Sequence, residues 1–332
     1  MATKEKVLKL FEENKGMVFS GEELARTLSV SRTAVWKAVK SLREEGYSIT
    51  GAAGEGYALA PDTDILSIQG IQKYLRPPAD ALHLTVLQKT ESTNTLLRKA
   101  AVEGAPEGTV IAANCQTKGK GRIGRNFYSP SDTGVYLSIL LRPTGYSASQ
   151  ATRLTTMAAV AACEAMESTG SAPAAIKWVN DIFIDGKKVC GILTEAAFDL
   201  ESGSPEYIIV GIGFNVYPPK AGFPDELTNI AGAIFPSPLS DGKNRLTAAF
   251  LNRFCAIYHD ADKTSYVNAY RERCFVIGNP VRVIRPSGER NALALDIDNA
   301  CRLLVRYEDG SEEVLSSGEI SIRLKERNAN ET

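Results

Sequence analysis

The chain has 332 residues, with 38 lysines and arginines against 39 aspartates and glutamates, for a net charge of −1. That length allows two or three domains, and the near-neutral balance excludes a protein held to nucleic acid by bulk charge, so any such site must come from local patterning. No apolar run reaches membrane-spanning length, the N-terminal Met1-Ala2-Thr3-Lys4-Glu5-Lys6 lacks a signal-peptide core, and Cys115, Cys163, Cys190, Cys255, Cys274 and Cys301 are scattered without a C-x-x-C pair. These features predict a cytoplasmic protein with reduced thiols. His83 and His259 have no metal-ligand spacing, so no protein-built metal site is expected.

Residues 4–14 carry helical periodicity around Val7, Leu8 and Phe11. Ser20 followed by Glu23 fits a capping box opening a short helix to Leu28. After a turn at Ser29-Val30, Ser31 caps a longer helix over 32–45, with Val35, Ala38, Val39 and Leu42 on one face and Gly46 ending it. Residues 47–59 read as a two-stranded ribbon around the glycine-rich turn 51–56. The order predicts a winged helix-turn-helix. Between Ala25 and Arg43 there are five cations and no acid. This places Arg32, Lys37 and Lys40 to meet phosphates, with Thr33 and Trp36 near groove edges. A protein-interaction module with a solvated charged face is the plainer alternative.

A strand over 82–88 precedes Glu91-Ser92-Thr93-Asn94, which opens a helix over 94–103. Ser92 and Thr93 serve there as N-caps or as ligand contacts, and the two roles are compatible. A strand over 108–114 then leads into the loop 116–130. Its span from Lys118 to Arg125 holds three glycines and four cations without an acid. Glycine lets backbone N–H groups turn toward a ligand, and lysine and arginine supply charge-assisted hydrogen bonds to phosphate or carboxylate. The span contains G-x-G-x-x-G, but its glycines lead into Asn126-Phe127-Tyr128-Ser129-Pro130, a run that does not start a helix. A dinucleotide turn is therefore excluded.

Further elements are an apolar strand over 134–141, an alanine-rich helix over 147–168, and a strand-like run over 176–182 interrupted by Lys177, Asn180 and Asp181. Asp185-Gly186 signals a hairpin, followed by strands over 188–195 and 207–216. Gly211 and Gly213 share a face of the last strand, which suggests close approach by a ligand or backbone, or else a bulge or tight helix–sheet packing. A helix covers 244–270. Strict β-α alternation is missing, so a mixed α+β sheet is expected. From residue 273 short strands with turns at Pro286-Ser287-Gly288 and Asp309-Gly310 predict a small β-barrel, with 328–332 disordered.

Five stretches in chain order match one family: Glu-Ser-Thr-Asn at 91–94, Gly-Lys-Gly-Arg-Ile-Gly-Arg at 119–125, Lys-Trp-Val-Asn-Asp at 177–181, Lys-Val-Cys-Gly-Ile-Leu at 188–193 and Val-Gly-Ile-Gly-Phe-Asn at 210–215. The chain resembles the bifunctional biotin–protein ligases and biotin operon repressors over nearly its whole length. The resemblance implies an α+β protein: a winged helix-turn-helix over 1–63, a mixed-sheet catalytic domain over 64–272 and an SH3-like barrel over 273–326. It implies adenylation of biotin by Mg-ATP to biotinyl-5′-AMP, then transfer to a lysine of a carboxylase's biotin carboxyl carrier domain.

By the same resemblance, Arg122, Lys188 and Asp181 carry the chemistry. Ser92, Thr93, Asn94, Gln116, Gly119, Lys120, Arg122, Lys188, Gly191 and Asn215 would hold biotin. Lys120, Gly121, Arg122, Arg125, Phe127, Asn180 and Arg323 would hold the nucleotide, with Mg2+ arriving on ATP near Asp181, which could instead help deprotonate the incoming lysine. Ser31, Arg32, Thr33, Trp36, Lys37 and Lys40 would contact operator DNA as a homodimer with biotinyl-5′-AMP as corepressor. Lys120, Phe127 and Val179 depart from the family's frequent arginine, tryptophan and proline. Lys120 keeps the charge but loses the bidentate fork. The rival readings are a lipoate–protein ligase and a ligand-sensing repressor without catalysis.

Overall fold

The computed structural model describes residues 2–51, 55–143, 151–199, 204–285, 288–316 and 319–322. Helices α1 (Thr3–Glu13), α2 (Gly21–Leu28) and α3 (Arg32–Glu44) pack around Val7, Phe11, Leu24, Val35 and Leu42. Ser20 Oγ accepts from the Glu23 N–H at 3.0 Å and Ser31 Oγ from the Ala34 N–H at 3.1 Å, so both expected N-caps form. Gly46 takes the left-handed conformation (φ +94°) that ends α3. The ribbon consists of β1 (Ile49–Thr50) antiparallel to β2 (Ala58–Leu59). Residues 52–54 of its turn lie outside the described residues.

After the short helix α4 (Ile68–Gln72) the central sheet begins. Its strands are β3 (His83–Leu87), β4 (Thr109–Ala113), β5 (Gly134–Leu141), β6 (Ala175–Lys177), β7 (Asp181–Ile184), β8 (Lys187–Phe198) and β9 (Pro205–Asn215). They lie in the order β3-β4-β5-β9-β8-β7-β6, with β3 and β4 parallel and every other pair antiparallel. Helix α5 (Thr93–Val102) covers one face through Leu97 and Ala101 against Ile111, Leu140 and Ile209. Helices α6 (Ala151–Ser168) and α7 (Gly242–His259) belong to the larger core, which takes the alternate residues Ile208, Val210, Ile212 and Phe214 of β9. The mixed sheet is the one expected. Residues 147–150, predicted to start α6, lie outside the described residues.

Two predicted elements are each split. The run 176–182 is β6 and β7 folded back on one another, so that Lys177 pairs with Asp181 across the turn at 178–180. Tertiary contacts hold that turn: Trp178 Nε1 donates to the Cys301 carbonyl at 3.0 Å and the Tyr270 hydroxyl donates to the Val179 carbonyl at 3.1 Å. The helix predicted over 244–270 is α7 followed by α8 (Val267–Arg273). Between them Asp260 accepts from the Asp262 N–H, and Asp262 from the Thr264 N–H and hydroxyl, so side chains compete with the helical ladder.

Strands β10 (Pro280–Arg285), β11 (Gly288–Ile297), β12 (Leu303–Tyr307), β13 (Glu312–Leu315) and β14 (Glu319–Ile322) form an antiparallel sheet in the order β13-β12-β11-β10-β14. Among the described residues its edges β13 and β14 do not pair with each other, so closure into the predicted barrel is not seen there. The turn residues 286 and 287, the segment from Arg323 onward and the tail 328–332 lie outside the described residues. No helix among the described residues is long and apolar enough to cross a membrane.

Candidate active site

The α5 face of the sheet carries a cavity of about 170 Å³. Ser92, Thr93 and Asn94 reach it from the start of α5, where Ser92 Oγ caps the Thr95 N–H. The Thr93 N–H donates to Gln116 Oε1 at 2.8 Å, which joins the helix start to the loop 116–130. Gln116 Nε2 in turn donates to Ser129 Oγ at 3.2 Å, so one side chain clamps both ends of the loop. The loop closes on itself: Gly121 N–H to the Arg125 carbonyl at 2.7 Å, Phe127 N–H to the Gly119 carbonyl at 2.9 Å. A Cβ on Gly119 would fall 2.5 Å from the Phe127 carbonyl oxygen, so glycine is required at that crossing. The glycine span holds only a single 3-10 turn, Arg122–Gly124, and opens no α-helix, which agrees with rejecting a dinucleotide turn.

Lys120, Gly121, Arg122, Arg125 and Phe127 line the cavity from this loop, and Lys177, Asn180, Asp181, Lys188 and Gly191 line it from β6, the turn after it, β7 and β8. Arg122 Nη1 donates to Asn180 Oδ1 at 3.0 Å; Asn180 Nδ2 donates to the Ile192 carbonyl at 2.9 Å and to Asp181 Oδ1 at 3.1 Å; Lys188 Nζ meets the same Asp181 Oδ1 at 2.7 Å. Cation, amide, carboxylate and cation thus form one connected row. Lys188 and Gly191 are three residues apart and would face opposite sides of a regular strand. Between Ile182 and Phe183 the register slips: Cys190 pairs with Ile182 but Lys188 with Phe183, leaving Val189 over. That bulge turns Lys188 onto the cavity side with Gly191.

The glycines of β8 and β9 admit side chains. A Cβ on Gly213 would lie 2.5 Å from the Phe127 ring, one on Gly191 3.0 Å from it, and one on Gly211 2.0 Å from Asn94 Oδ1. The close approach expected at Gly211 and Gly213 is therefore made by Asn94 and Phe127. Three predicted residues stand elsewhere. Gly119 lines the neighbouring space under the loop rather than the cavity. Asn215 Nδ2 donates to the Gly232 carbonyl at 3.1 Å, holding the 230–232 segment that hydrogen-bonds Lys188's backbone. Arg323 lies outside the described residues. Residues that sequence reasoning missed include Lys177, Trp178, Leu193 and Ile320, the last from β14. A cation beside Trp178 in the same motif was a usable signal for Lys177, whereas nothing local in Ile320 marks it.

In the winged domain Ser31, Arg32, Thr33, Trp36, Lys37 and Lys40 are all exposed, Trp36 by 50%. Arg43 is committed otherwise: it donates to the carbonyls of Ile49 at 3.0 Å and Gly51 at 2.7 Å and lies over Tyr57. Among the described residues no group of three or more His, Cys, Asp or Glu is placed to hold a metal ion.

Residues 86–215 match the biotin/lipoate A/B protein ligase family, residues 3–58 a helix-turn-helix domain and residues 276–323 the biotin protein ligase C-terminal domain. The bifunctional ligase/repressor BirA of Bacillus spizizenii is 32% identical over 318 residues, which are 94% of this chain and 96% of that protein. The BirA of Bacillus subtilis is 37% identical over 228 residues, 69% of each chain. The structure of the biotin protein ligase from Aquifex aeolicus in complex with biotin and ATP superposes with a TM-score of 0.60 at 25% identity, covering 73% of this chain and 99% of that one. With a basic glycine-rich loop, a row of paired charges and a polar helix start converging on one cavity, and a relative 32% identical over almost its full length, the chain belongs to the family of bifunctional biotin–protein ligases and repressors.

Proposed function

We propose that biotin and ATP meet in this cavity, with the ureido ring against Ser92, Thr93, Asn94 and Gln116 and the carboxylate toward Lys188, Lys120 and Arg122. The chain is a biotin–protein ligase carrying a helix-turn-helix repressor module. The observation that carries the residue assignment is the row Arg122–Asn180–Asp181–Lys188 facing the polar start of α5 across one cavity. A carboxylate and a triphosphate repel each other, and cations fixed between them remove that repulsion before reaction. In the first step a biotin carboxylate oxygen attacks the α-phosphorus of ATP, the bond to the bridging oxygen breaks, and diphosphate leaves. In the second, the amine of a carrier-domain lysine attacks the acyl carbon, AMP leaves with the electron pair, and the amine loses a proton. Asp181 is the one carboxylate in the described cavity lining, and it would receive that proton or meet the metal.

Mg2+ would enter on the nucleotide. A single carboxylate beside the phosphate-binding cations fits an ion held mainly by phosphate oxygens and water, because Mg2+ gives up its water reluctantly. It would neutralise developing charge on the phosphates. The protein works in the cytoplasm, where ATP and carboxylase acceptors are found, and dimerises when the adenylate is bound, so that two winged domains double the phosphate contacts on operator DNA.

The test is biotin-dependent exchange of labelled diphosphate into ATP. The wild type should exchange, and Arg122→Ala should lose at least about a hundredfold, the scale of removing one preorganised charged donor. Exchange supported by lipoate instead of biotin would select the lipoate rival, and none with either would select the non-catalytic sensor.

A further inference from the structure

The turn that carries Asn180 into the cavity sits at the end of the sheet, where β6 is the last strand. Helix α8 holds that end. Just past α8 the Phe275 N–H donates to the Ile176 carbonyl of β6 at 3.2 Å. Arg273 Nη2, at the end of α8, donates to Glu167 Oε2 at 2.9 Å and ties α8 to α6. Within α8 Tyr270 is fully buried, and its hydroxyl donates to the Val179 carbonyl at 3.1 Å. Burial pushes that hydroxyl well above the ordinary tyrosine range, so it stays a donor.

The Val179 carbonyl belongs to the planar peptide unit that supplies the Asn180 nitrogen, so its orientation sets the direction in which the Asn180 side chain leaves the backbone. Ile192 grips the same residue from the other side. The Ile192 N–H donates to the Asn180 carbonyl at 3.0 Å, and the Ile192 carbonyl accepts from Asn180 Nδ2 at 2.9 Å. A carbonyl needs a donor, so Nδ2 must face Ile192 and Oδ1 must be the atom turned to Arg122, 3.0 Å away. Without the Tyr270 hydroxyl the Val179 carbonyl loses its donor, and a rotation of the peptide toward another donor would recover that cost while moving Asn180.

We propose that Tyr270 is a positioning residue for the adenylation step: through the Val179–Asn180 peptide its hydroxyl keeps the Asn180 amide, and Arg122 with it, where the phosphates of ATP react. This rests on the reading of Asn180 and Arg122 as groups that meet the nucleotide. Tyr270 itself does not line the cavity.

The experiment uses the full chain and a matched control seven-tenths of a turn of argument away from it: Tyr266, at the start of α8, is also buried, but its hydroxyl lies 3.0 Å from Thr156 Oγ1, 3.4 Å from the Arg153 carbonyl and 3.8 Å from Cys301 Sγ, none of them in the turn. Tyr270→Phe and Tyr266→Phe each remove one buried hydroxyl, and both should melt somewhat below the wild type. Biotin-dependent diphosphate exchange is then measured below the melting temperature of every variant, with biotin affinity measured separately without ATP. In Tyr270→Phe the kcat/KM for ATP should fall about tenfold, the scale of a small misplacement of a reacting group, while the biotin dissociation constant stays within about twofold. Tyr266→Phe should leave both within about twofold of wild type, because it loses stability without touching the turn. Asn180→Ala should impair ATP use at least as much as Tyr270→Phe, and combining the two should cost less than about twofold beyond Asn180→Ala alone, since residues acting through one another are not additive. Losses that add in the double variant, an equal loss in Tyr266→Phe, a parallel weakening of biotin, or unchanged exchange in Tyr270→Phe each overturn the proposal and leave Tyr270 a residue of the core. Unchanged ATP use in Asn180→Ala overturns the assignment of Asn180 to the nucleotide, and this proposal with it.

Discussion

Gly213 shapes the cavity by having no side chain. The ring of Phe127 occupies the place where its Cβ would be, at 2.5 Å, and spreads across to Gly191, the residue paired with Gly213 on the next strand. In Gly213→Ala the obstacle is one aromatic side chain from a loop, which can swing aside. Stability should fall by less than about 1 kcal/mol, while the biotin dissociation constant rises tenfold or more because the wall of the cavity has moved. Gly134→Ala on neighbouring β5 is the contrast. There the Cβ would meet the Phe214 carbonyl oxygen at 2.8 Å and the Tyr136 hydroxyl at 2.3 Å, a backbone and a buried ring that cannot retreat. That variant should lose about 1–3 kcal/mol. Thermal melting and biotin titration on the two proteins separate a binding glycine from a folding one. The pair Gly211 and Gly213 was visible in the sequence because strand periodicity alone places them on one face. That Asn94 and Phe127 fill the space was not, because it depends on the tertiary path of α5 and the loop.

Among the elements, those decided locally were the legible ones. Ser20 and Ser31 cap the helices expected of them, and Gly46 stops α3. The β6–β7 reversal was read as one strand because its apolar residues are continuous, and the contacts that fold it back come from Tyr270 and from the backbone of Cys301, 123 positions beyond Trp178. The bulge in β8 is equally silent, since an extra residue leaves no mark on composition. On α3 the same division sorts the cations. Lys37 is exposed and Arg43 is tied to the ribbon. Lys37→Ala should weaken operator binding about equally across sequences and lower the slope of log affinity against log salt by about 1, with diphosphate exchange unchanged. Arg43→Ala should instead loosen the ribbon, giving faster amide exchange at residues 49–51 before any change in salt slope. Salt-dependent DNA titrations and hydrogen exchange distinguish the two.

The molecule as a whole joins its DNA-binding and catalytic parts through a buried ionic cluster. Glu12 at the end of α1 has a fully buried side chain; it meets Lys15 at 3.2 Å and Lys73 at 2.8 Å, and Lys15 meets Asp241 Oδ1 at 3.0 Å. Lys73 also pairs with Asp241, which accepts from the Tyr74 hydroxyl at 2.7 Å. Two carboxylates and two ammonium groups balance, and removing one leaves an uncompensated buried charge. Burial works against ionising Asp241, but hydrogen bonds from Lys73, Tyr74 and Asn244 outweigh it and hold the carboxyl below its usual range. Burial likewise works against the Lys73 ammonium, and Asp241 and Glu12 outweigh it and raise the group above the ordinary lysine range. A lowered carboxylate gives stability that is present above the usual carboxylate range and lost as pH falls through the folded value. A raised lysine gives stability that is present below the usual lysine range and lost as pH rises through the folded value. The cluster therefore holds at full strength across neutral pH and weakens at both extremes. Asp241→Asn should cost about 3 kcal/mol at neutral pH and flatten the acid limb of the stability profile. None of these four residues lines the cavity, so diphosphate exchange below the melting temperature should stay within about twofold of wild type. Melts from pH 3 to pH 11 followed together with protease cleavage near residues 60–64 decide it. A wild-type acid limb retained in Asp241→Asn would show that other carboxylates set the pH dependence and that this cluster does not lock the winged domain in place.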